Sequence, residues 1–462
     1  MKHEKFNDII FIVLIVVYIG AQFVIGTWHP DEKRFIYNAP ADSDYLYYSA
    51  IARAVVDGFP PENPSFAGIR LTQPFVQYYP VGLLGLLINA FNGMRVMNVA
   101  YLVVFGLLLR KYFPRRYALP LIILFAGSAL PVDLNSAGTD FISRGYTHVP
   151  YFILLFIALY SRVRWTRMVS IFVAAFINGY LMLMVVPFLA LWTFWHKDRE
   201  LFYVTIAALA GLGTAGLLVS SAAAEKPFYF IFAESLRLAP VEILCHAAPI
   251  IVLAILYRHP KMTLLLAIAV VFGMIVQYNP FFPIFLCYFA GALIIAEGHP
   301  VFGWSRRLGY LVTILLLAGF VITTGQKFKP SVRAYYPRID HRIEPAIAWA
   351  RENTAEDAAF LAVTADARDI ALIMTYRNVY LGAIGHMGHL GLNWPERYKN
   401  TVDAFGAGPV PPEVDYIFYG PVEKNTFPAP ESICPRFIVT GMLPFTAAVR
   451  IRSHNGQYDM KL

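Results

Sequence analysis

Asp42-Ser43-Asp44-Tyr45-Leu46-Tyr47-Tyr48-Ser49-Ala50-Ile51-Ala52-Arg53 comes shortly after the first apolar run of the chain, Ile9 to Gly26. Two carboxylates stand two residues apart, aromatic side chains follow, and a short amphipathic run continues toward Gly58. Beside a membrane, such an acidic pair can take a proton from a hydroxyl or hold a divalent cation. The same residues also suit a plain helix start. Asp42 or Ser43 would be the N-cap, and Asp44 would lie in the first turn, where the helix dipole favours negative charge. The surroundings of the stretch decide between the two.

Those surroundings are apolar. Of 462 residues, 58% are hydrophobic and 15% charged, and the mean hydropathy is +0.53. Soluble domains carry roughly 25% charged residues, so the composition is that of an integral membrane protein. The net charge of +8 lies in short blocks between apolar segments and not on one polar face, which argues against a nucleic-acid partner. The three cysteines, Cys245, Cys287 and Cys434, give neither a disulfide framework nor a metal-ligand spacing. Ile9 to Gly26 is too long for the apolar core of a signal peptide and has no small-residue cleavage site, so it is expected to stay as an anchor.

The basic blocks set a topology. They are Lys2/Lys5, Arg110-Lys111 with Arg115-Arg116, Arg162/Arg164/Arg167, Lys197/Arg199, Arg258/Lys261 and Arg306-Arg307. Turns between successive blocks are poor in Lys and Arg. With the basic side cytoplasmic, the chain crosses about eleven times in runs of roughly 17 to 25 residues or less. The N-terminus is then cytoplasmic and the C-terminus outside. Met168 to Trp195 is expected to be two short helices meeting near Met184 to Pro187, a break that can line a cavity.

This topology places three loops outside: 28–94 with the acidic stretch, 132–148 with Asp133, Asp140, Arg144, Tyr146 and His148, and 222–242 with Glu225, Lys226, Glu234 and Arg237. In the first, Val81 to Asn89 is apolar but too short to span and suits a membrane-dipping helix. The membrane part is expected over 1–326. From Lys327 on, charges and prolines return. Ile343 to Glu352 forms an amphipathic helical pattern. Short strand patterns at Phe360–Thr364, Asn378–Leu381, Asp415–Tyr419, Phe437–Thr440 and Ala447–Ile451 alternate with helical ones at Asp366–Thr375 and Trp394–Ala404. That predicts an extracytoplasmic α/β domain over 327–462.

In order, sidedness and spacing these segments resemble the GT-C superfamily of membrane glycosyltransferases. The nearest shapes are the aminoarabinose and protein O-mannosyl transferases, with oligosaccharyltransferases further away. Those families carry Asp-Glu-x-x-Tyr and then Ile-Ala-Arg in the first outer loop. This chain keeps Asp44, Tyr48 four residues on, and Ile51-Ala52-Arg53, with Tyr45 in the place of the Glu. Gln77-Tyr78-Tyr79-Pro80 is similar to the family's Pro-Pro-Leu-Tyr-Tyr, and Arg95 with the run to Arg110-Lys111 is similar to its second membrane helix. Ala175-Phe176-Ile177-Asn178-Gly179 is similar to a segment with Lys before the Gly, a place taken here by Asn178. Phe228 to Arg237 is similar to the third-loop helix. The Trp-Trp-Asp signature of oligosaccharyltransferases is absent from the C-terminal part, which argues against transfer of a whole glycan to protein Asn.

The resemblance implies a polyprenyl-phosphate-linked sugar donor and a glycan, lipid or protein acceptor in the cell envelope. Asp44 would take the acceptor's proton, with Asp42 as competitor or electrostatic partner. Arg237 and Arg144 would hold the leaving phosphate through bidentate guanidinium contacts, with Lys226 behind them and Tyr48 and Asn178 alongside. Asp140 matches in position an acidic metal-holding residue of oligosaccharyltransferases, so a divalent metal ion is the one cofactor left open. His386 and His389 suit a solvated loop pair, and His148 and His246 suit hydrogen-bonded packing at span ends. The competing class is a non-catalytic lipid-linked-sugar transporter or glycan-assembly protein. A transporter would call for charges within spans and an internal repeat, neither of which is evident in the sequence.

Overall fold

The computed structural model describes residues 2–20, 28–29, 34–35, 44–71, 75–114, 116–126, 145–219, 239–275, 281–327, 344–362, 377–382, 392–406, 408–419 and 447–450. In chain order the elements begin with α1 (Lys2–Gly20), β1 (Trp28–His29), β2 (Arg34–Phe35), α2 (Asp44–Asp57), α3 (Tyr79–Ile88), α4 (Ala90–Tyr112) and α5 (Ala118–Ala126). Next come α6 (Gly145–Tyr160), α7 (Arg164–Ile177), α8 (Gly179–His196), α9 (Arg199–Val219), α10 (Ala239–Leu256), β3 (Tyr257–Arg258), α11 (Pro260–Ile275), α12 (Phe281–Glu297), β4 (His299–Pro300) and α13 (Ser305–Lys327). The last are α14 (Glu344–Asn353), β5 (Ala359–Leu361), β6 (Asn378–Val379), α15 (Trp394–Phe405), β7 (Tyr416–Tyr419) and β8 (Ala447–Arg450).

These elements fall into two units. The first contains α1, α4 from Arg95 onward, and α5 to α13; the second contains α2, α3, the β5–β8 sheet, α14 and α15.

The first unit is helical because its apolar runs offer the backbone no other partner once water is excluded. By length and composition, Asn92–Tyr112, Gly179–His196 and Arg199–Leu217 can each cross a membrane. Val149–Tyr160, His246–Leu256, Pro260–Met274 and Pro283–Glu297 are shorter apolar helices. Aromatic rings fill the centre: Phe152 of α6 stacks on Phe289 of α12 at 5.0 Å, and Phe105 of α4 meets Phe156 edge-on at 6.0 Å. Offset and edge-on pairs of this kind are the favoured arrangements of ring quadrupoles. Gly291 lets α12 close on α10, since a Cβ there would sit 2.7 Å from Ile250 Cγ2.

Turns that carry the basic blocks meet one another within this unit. Asp8 of α1 accepts from Arg110 at the end of α4 (3.4 Å) and from Tyr117 just before α5. Glu297 at the end of α12 accepts from Tyr160 at the end of α6 (3.1 Å) and lies 2.7 Å from His259, ahead of α11. Arg164 of α7 reaches Glu200 of α9, and Arg167 donates to Ala158 O of α6 at 2.8 Å. Each contact joins turns that the charge alternation assigns to the same side.

The break in 168–195 falls elsewhere than the sequence suggests. Pro187 lies inside α8, and the chain interrupts at Asn178, whose backbone is extended (φ −151°, ψ 93°). Asn178 Oδ1 accepts from Leu181 N at 3.0 Å and starts α8. A side-chain cap makes an end cheap, whereas a proline inside a packed membrane helix is tolerated.

The second unit is built on a four-stranded sheet in the order β6-β5-β7-β8. β5 runs parallel to β6 and β7, and β8 closes the edge antiparallel to β7. Central β5 is buried along its length, and Phe360 stacks on Tyr416 at 5.1 Å. Arg377 finishes α14 by donating to Arg351 O (2.8 Å), Thr354 O (3.0 Å) and Thr354 Oγ1 (3.0 Å), which satisfies carbonyls a helix end leaves open. The expected strand at 437–440 and helix at 366–375 lie outside the described residues.

The sheet also recruits the first loop. Val379 N donates to Pro64 O (2.8 Å), Ala67 N to Val379 O (2.9 Å) and Gly382 N to Ser65 O (2.8 Å). Arg397 of α15 then donates to Ala67 O (2.9 Å) and Tyr380 O (2.6 Å). Sequence alone assigns 28–94 to the membrane part; in the structure α2, α3 and the segment between them belong with the C-terminal region. The cause is hydrogen-bond demand: the polar, proline-rich 60–71 segment and the edge of β6 each offer backbone groups that the other satisfies.

Candidate functional site

Asp44 is the first residue of α2, at the end where backbone N–H groups and the helix dipole favour a negative charge. The helix is anchored by a stripe at helical spacing: Tyr47 and Ile51 have no exposed surface and Val55 is 2% exposed. Arg53 closes the outer side of the helix, 3.1 Å from Asp57 one turn on.

The next element to reach this end is α3, with the short turn of 3-10 helix at Val76–Tyr78 before it. Tyr48 stacks on Tyr78 with centroids 5.6 Å apart and planes 14° from parallel, and Tyr47 lies 5.5 Å from Tyr48. Tyr47 and Tyr48 of α2 and Tyr78 ahead of α3, separate in sequence, thus form one aromatic cluster. Gly82 makes the approach feasible, since a Cβ on it would sit 2.1 Å from Ala52 O. Phe75 packs edge-on to Phe59 at 6.2 Å and extends the aromatic surface. A carboxylate at a helix start can take a proton from a hydroxyl, and stacked rings offer a surface for a sugar's carbon skeleton.

The other sequence candidates divide. Asn178 is described and 7% exposed, and its carbonyl oxygen is engaged in the α8 cap. Asp42, Arg144, Lys226, Arg237 and Asp140 lie outside the described residues, as do His386 and His389. His246 is fully buried on α10, with its ring 6.5 Å from Tyr288. Neither of its nitrogens has a hydrogen-bond partner among the described residues, unlike the bonded packing residue expected from sequence. Among the described residues no three His, Cys, Asp or Glu side chains gather as a metal site.

Two polar residues to which the sequence reading gave no role at the site, Arg95 (named there only within a similar membrane helix) and Asn98, are buried on α4. Arg95 is 2% exposed, and Asn98, one turn on, has no exposed surface. The signal was available: a charge near the start of an apolar run is a functional candidate in a membrane helix.

No protein-family model matches the sequence, and no curated protein matches it. Among solved structures the chain is similar to ArnT from Cupriavidus metallidurans, determined bound to undecaprenyl phosphate. The two share 10% identity at a TM-score of 0.54, over 95% of this chain and 97% of that one. At that identity the likeness shows the fold alone: a mainly helical bundle of the kind seen in ArnT, with apolar candidate spans and an additional α/β part.

Proposed function

We propose that a chain with this fold is a membrane glycosyltransferase, moving a sugar from a polyprenyl-phosphate-linked donor to an acceptor hydroxyl at the outer face of the membrane. The supporting observation is the likeness to ArnT over 95% of this chain and 97% of that one. In the proposed step the Asp44 carboxylate takes the acceptor's hydroxyl proton as the oxygen attacks the anomeric carbon. The bond from that carbon to the phosphate oxygen breaks, and polyprenyl phosphate leaves with the electron pair. Charge grows on the phosphate during the step, so fixed cations aimed at it lower the barrier. Arg237, Arg144 and Lys226 are assigned that task, and Asp42 supports the charge of Asp44. Tyr48, held by Tyr78, presents a ring to the sugar. Because Asn178 uses Oδ1 in its cap, it would meet the donor through its amide nitrogen. The acceptor is a glycan, a lipid or a protein.

The test is reconstitution of the full-length protein in proteoliposomes with a radiolabelled sugar on polyprenyl phosphate and an extract of envelope acceptors. Protein-dependent transfer of label with release of polyprenyl phosphate is expected. Movement of intact donor across the bilayer without transfer would overturn the proposal in favour of a transporter. Reporter fusions at Lys327 and near Gly58 are expected to report an extracytoplasmic position.

A further inference from the structure

The second unit holds a cavity of about 500 Å³ that Asp44, Tyr48 and Tyr78 do not line. Its volume is within the roughly 300–1,000 Å³ of small-ligand clefts. It forms where the first loop meets the sheet: Phe66 and Ile69 come from that loop, Tyr380 follows β6, and the remaining lining comes from α15 and the 409–413 segment.

The chemistry of the walls is specific. Among the described residues Arg397 is the one cation in the lining, and it is partly engaged. Its guanidinium carbon lies 3.8 Å from the Phe66 centroid and 4.5 Å from that of Tyr380, and both terminal nitrogens donate to backbone carbonyls. With part of the guanidinium so engaged and the carboxylates of Glu396 and Glu413 in the same lining, an anionic ligand such as a phosphate is disfavoured. The acceptors in the lining are the carboxylates of Glu396 and Glu413, while Pro411 O already accepts from Val414 N at 3.1 Å. Pro409, Pro411 and Pro412 carry no N–H, so the 409–413 segment has few backbone donors for an extended peptide. Asn400 Nδ2 donates to the Tyr380 hydroxyl at 3.3 Å and Asn393 Nδ2 to Glu396 at 3.0 Å, which orients both amides along the wall. Phe66, Tyr380 and three prolines add apolar rings to the same lining.

A ligand that satisfies such a space carries many hydroxyl donors on an apolar carbon face. The geometry points to a saccharide-binding subsite in this cavity, distinct from the Asp44 end of α2, for a short neutral oligosaccharide. Taken with the proposed function, on which this part of the inference rests, the subsite serves the acceptor side when that acceptor is a glycan. It holds sugar residues remote from the reacting hydroxyl.

The binding itself can be tested without turnover. Full-length protein in detergent is titrated with neutral di- and trisaccharides and with a matched aminosugar oligomer, using saturation-transfer NMR and calorimetry. Wild type is expected to bind at least one neutral saccharide. Glu413→Gln and Asn400→Ala are expected to weaken it about two- to twelvefold each, the range for loss of one hydrogen bond. Asp44→Asn is expected to leave it unchanged. Glu413 is exposed, so its variant keeps the fold if Asn400→Ala does not. No neutral saccharide binding, or binding untouched by Glu413→Gln, overturns the subsite, even if transfer activity is present. Binding confined to the aminosugar overturns it in favour of a cation site. Saccharide binding without any transfer upholds the subsite and removes only its acceptor role.

Discussion

Gly82→Val tests how α2 is held. A Cβ at Gly82 would sit 2.1 Å from Ala52 O and 2.8 Å from Val56 Cγ1. Carbon contacts are comfortable at about 3.5–4.0 Å, and a helical backbone oxygen cannot rotate aside, so α3 must retreat locally by roughly 1.4 Å. Overpacking of this kind costs about 1–3 kcal/mol, and the two further carbons of valine put the expected loss near the top of that range. The retreat also draws Tyr78 away from Tyr48, whose rings now stack at 5.6 Å. If Asp44 acts as proposed, a displacement of about 1 Å at its supporting helix lowers turnover about 10²-fold. Gly58→Val is the control, because a Cβ at Gly58 has nothing within 4 Å. The assay pairs unfolding midpoints in one detergent with transfer from a polyprenyl-phosphate-linked donor. Equal stability and equal rates for the two variants would refute the argument that close contact between α2 and α3 positions the site.

Asp44→Asn should cut transfer by about 10² to 10⁴ while leaving donor binding and folding in place, since Asn can still start a helix but cannot take a proton. Asp42→Asn should do less, and full activity of Asp44→Asn would reduce the stretch to a helix cap. Arg237→Ala should weaken donor use about ten- to a hundredfold, corresponding to loss of a charge-assisted contact of about 1.5–3 kcal/mol, and unchanged donor dependence would leave Arg237 as a head-group anchor. Burial raises the Asp57 carboxyl above its ordinary 3.8, against the opposing pull of Arg53. The folded protein therefore holds that proton at a pH where the unfolded chain has lost it, and wild type loses stability as pH climbs through the interval. Asp57→Asn lacks this term, so its stability relative to wild type should improve as pH rises from about 4 toward 7. A difference that stays flat with pH would show that Asp57 does not titrate in this way.

The membrane part was legible because apolar runs and basic turns are local signals, and the contacts of Asp8, Glu297 and Glu200 join the turns those signals place together. The Asn178 break was misplaced because a proline is easily seen in sequence, whereas a cap depends on where Leu181 N points. Helix α15 and the strands β5 to β8 were readable from period and turn residues. The membership of residues 60–71 was not. Their backbone partners, Val379 and Gly382, are hundreds of positions away, and no local pattern encodes such pairing. At the site, the Asp44–Tyr48 motif was visible as a string of residues. Its stack on Tyr78 was not, since it rests on a glycine whose meaning appears only once α2 and α3 meet.

The hydrogen bonds between the first loop and the β6 edge also set a schedule for biosynthesis. Ala67 and Arg397 are bonded across a separation of 330 residues. At roughly 5–20 residues per second, a ribosome needs about 15 to 65 s to cover that distance. Throughout that interval the 60–71 segment has emerged but its sheet has not, and the intervening helices are being inserted. Non-local closures of this type are slow and leave polar backbone unpaired until late. The helix that bears Asp44 thus gains its final support only when the last quarter of the chain arrives, so a nascent chain released early would carry the acidic motif on an unfinished scaffold.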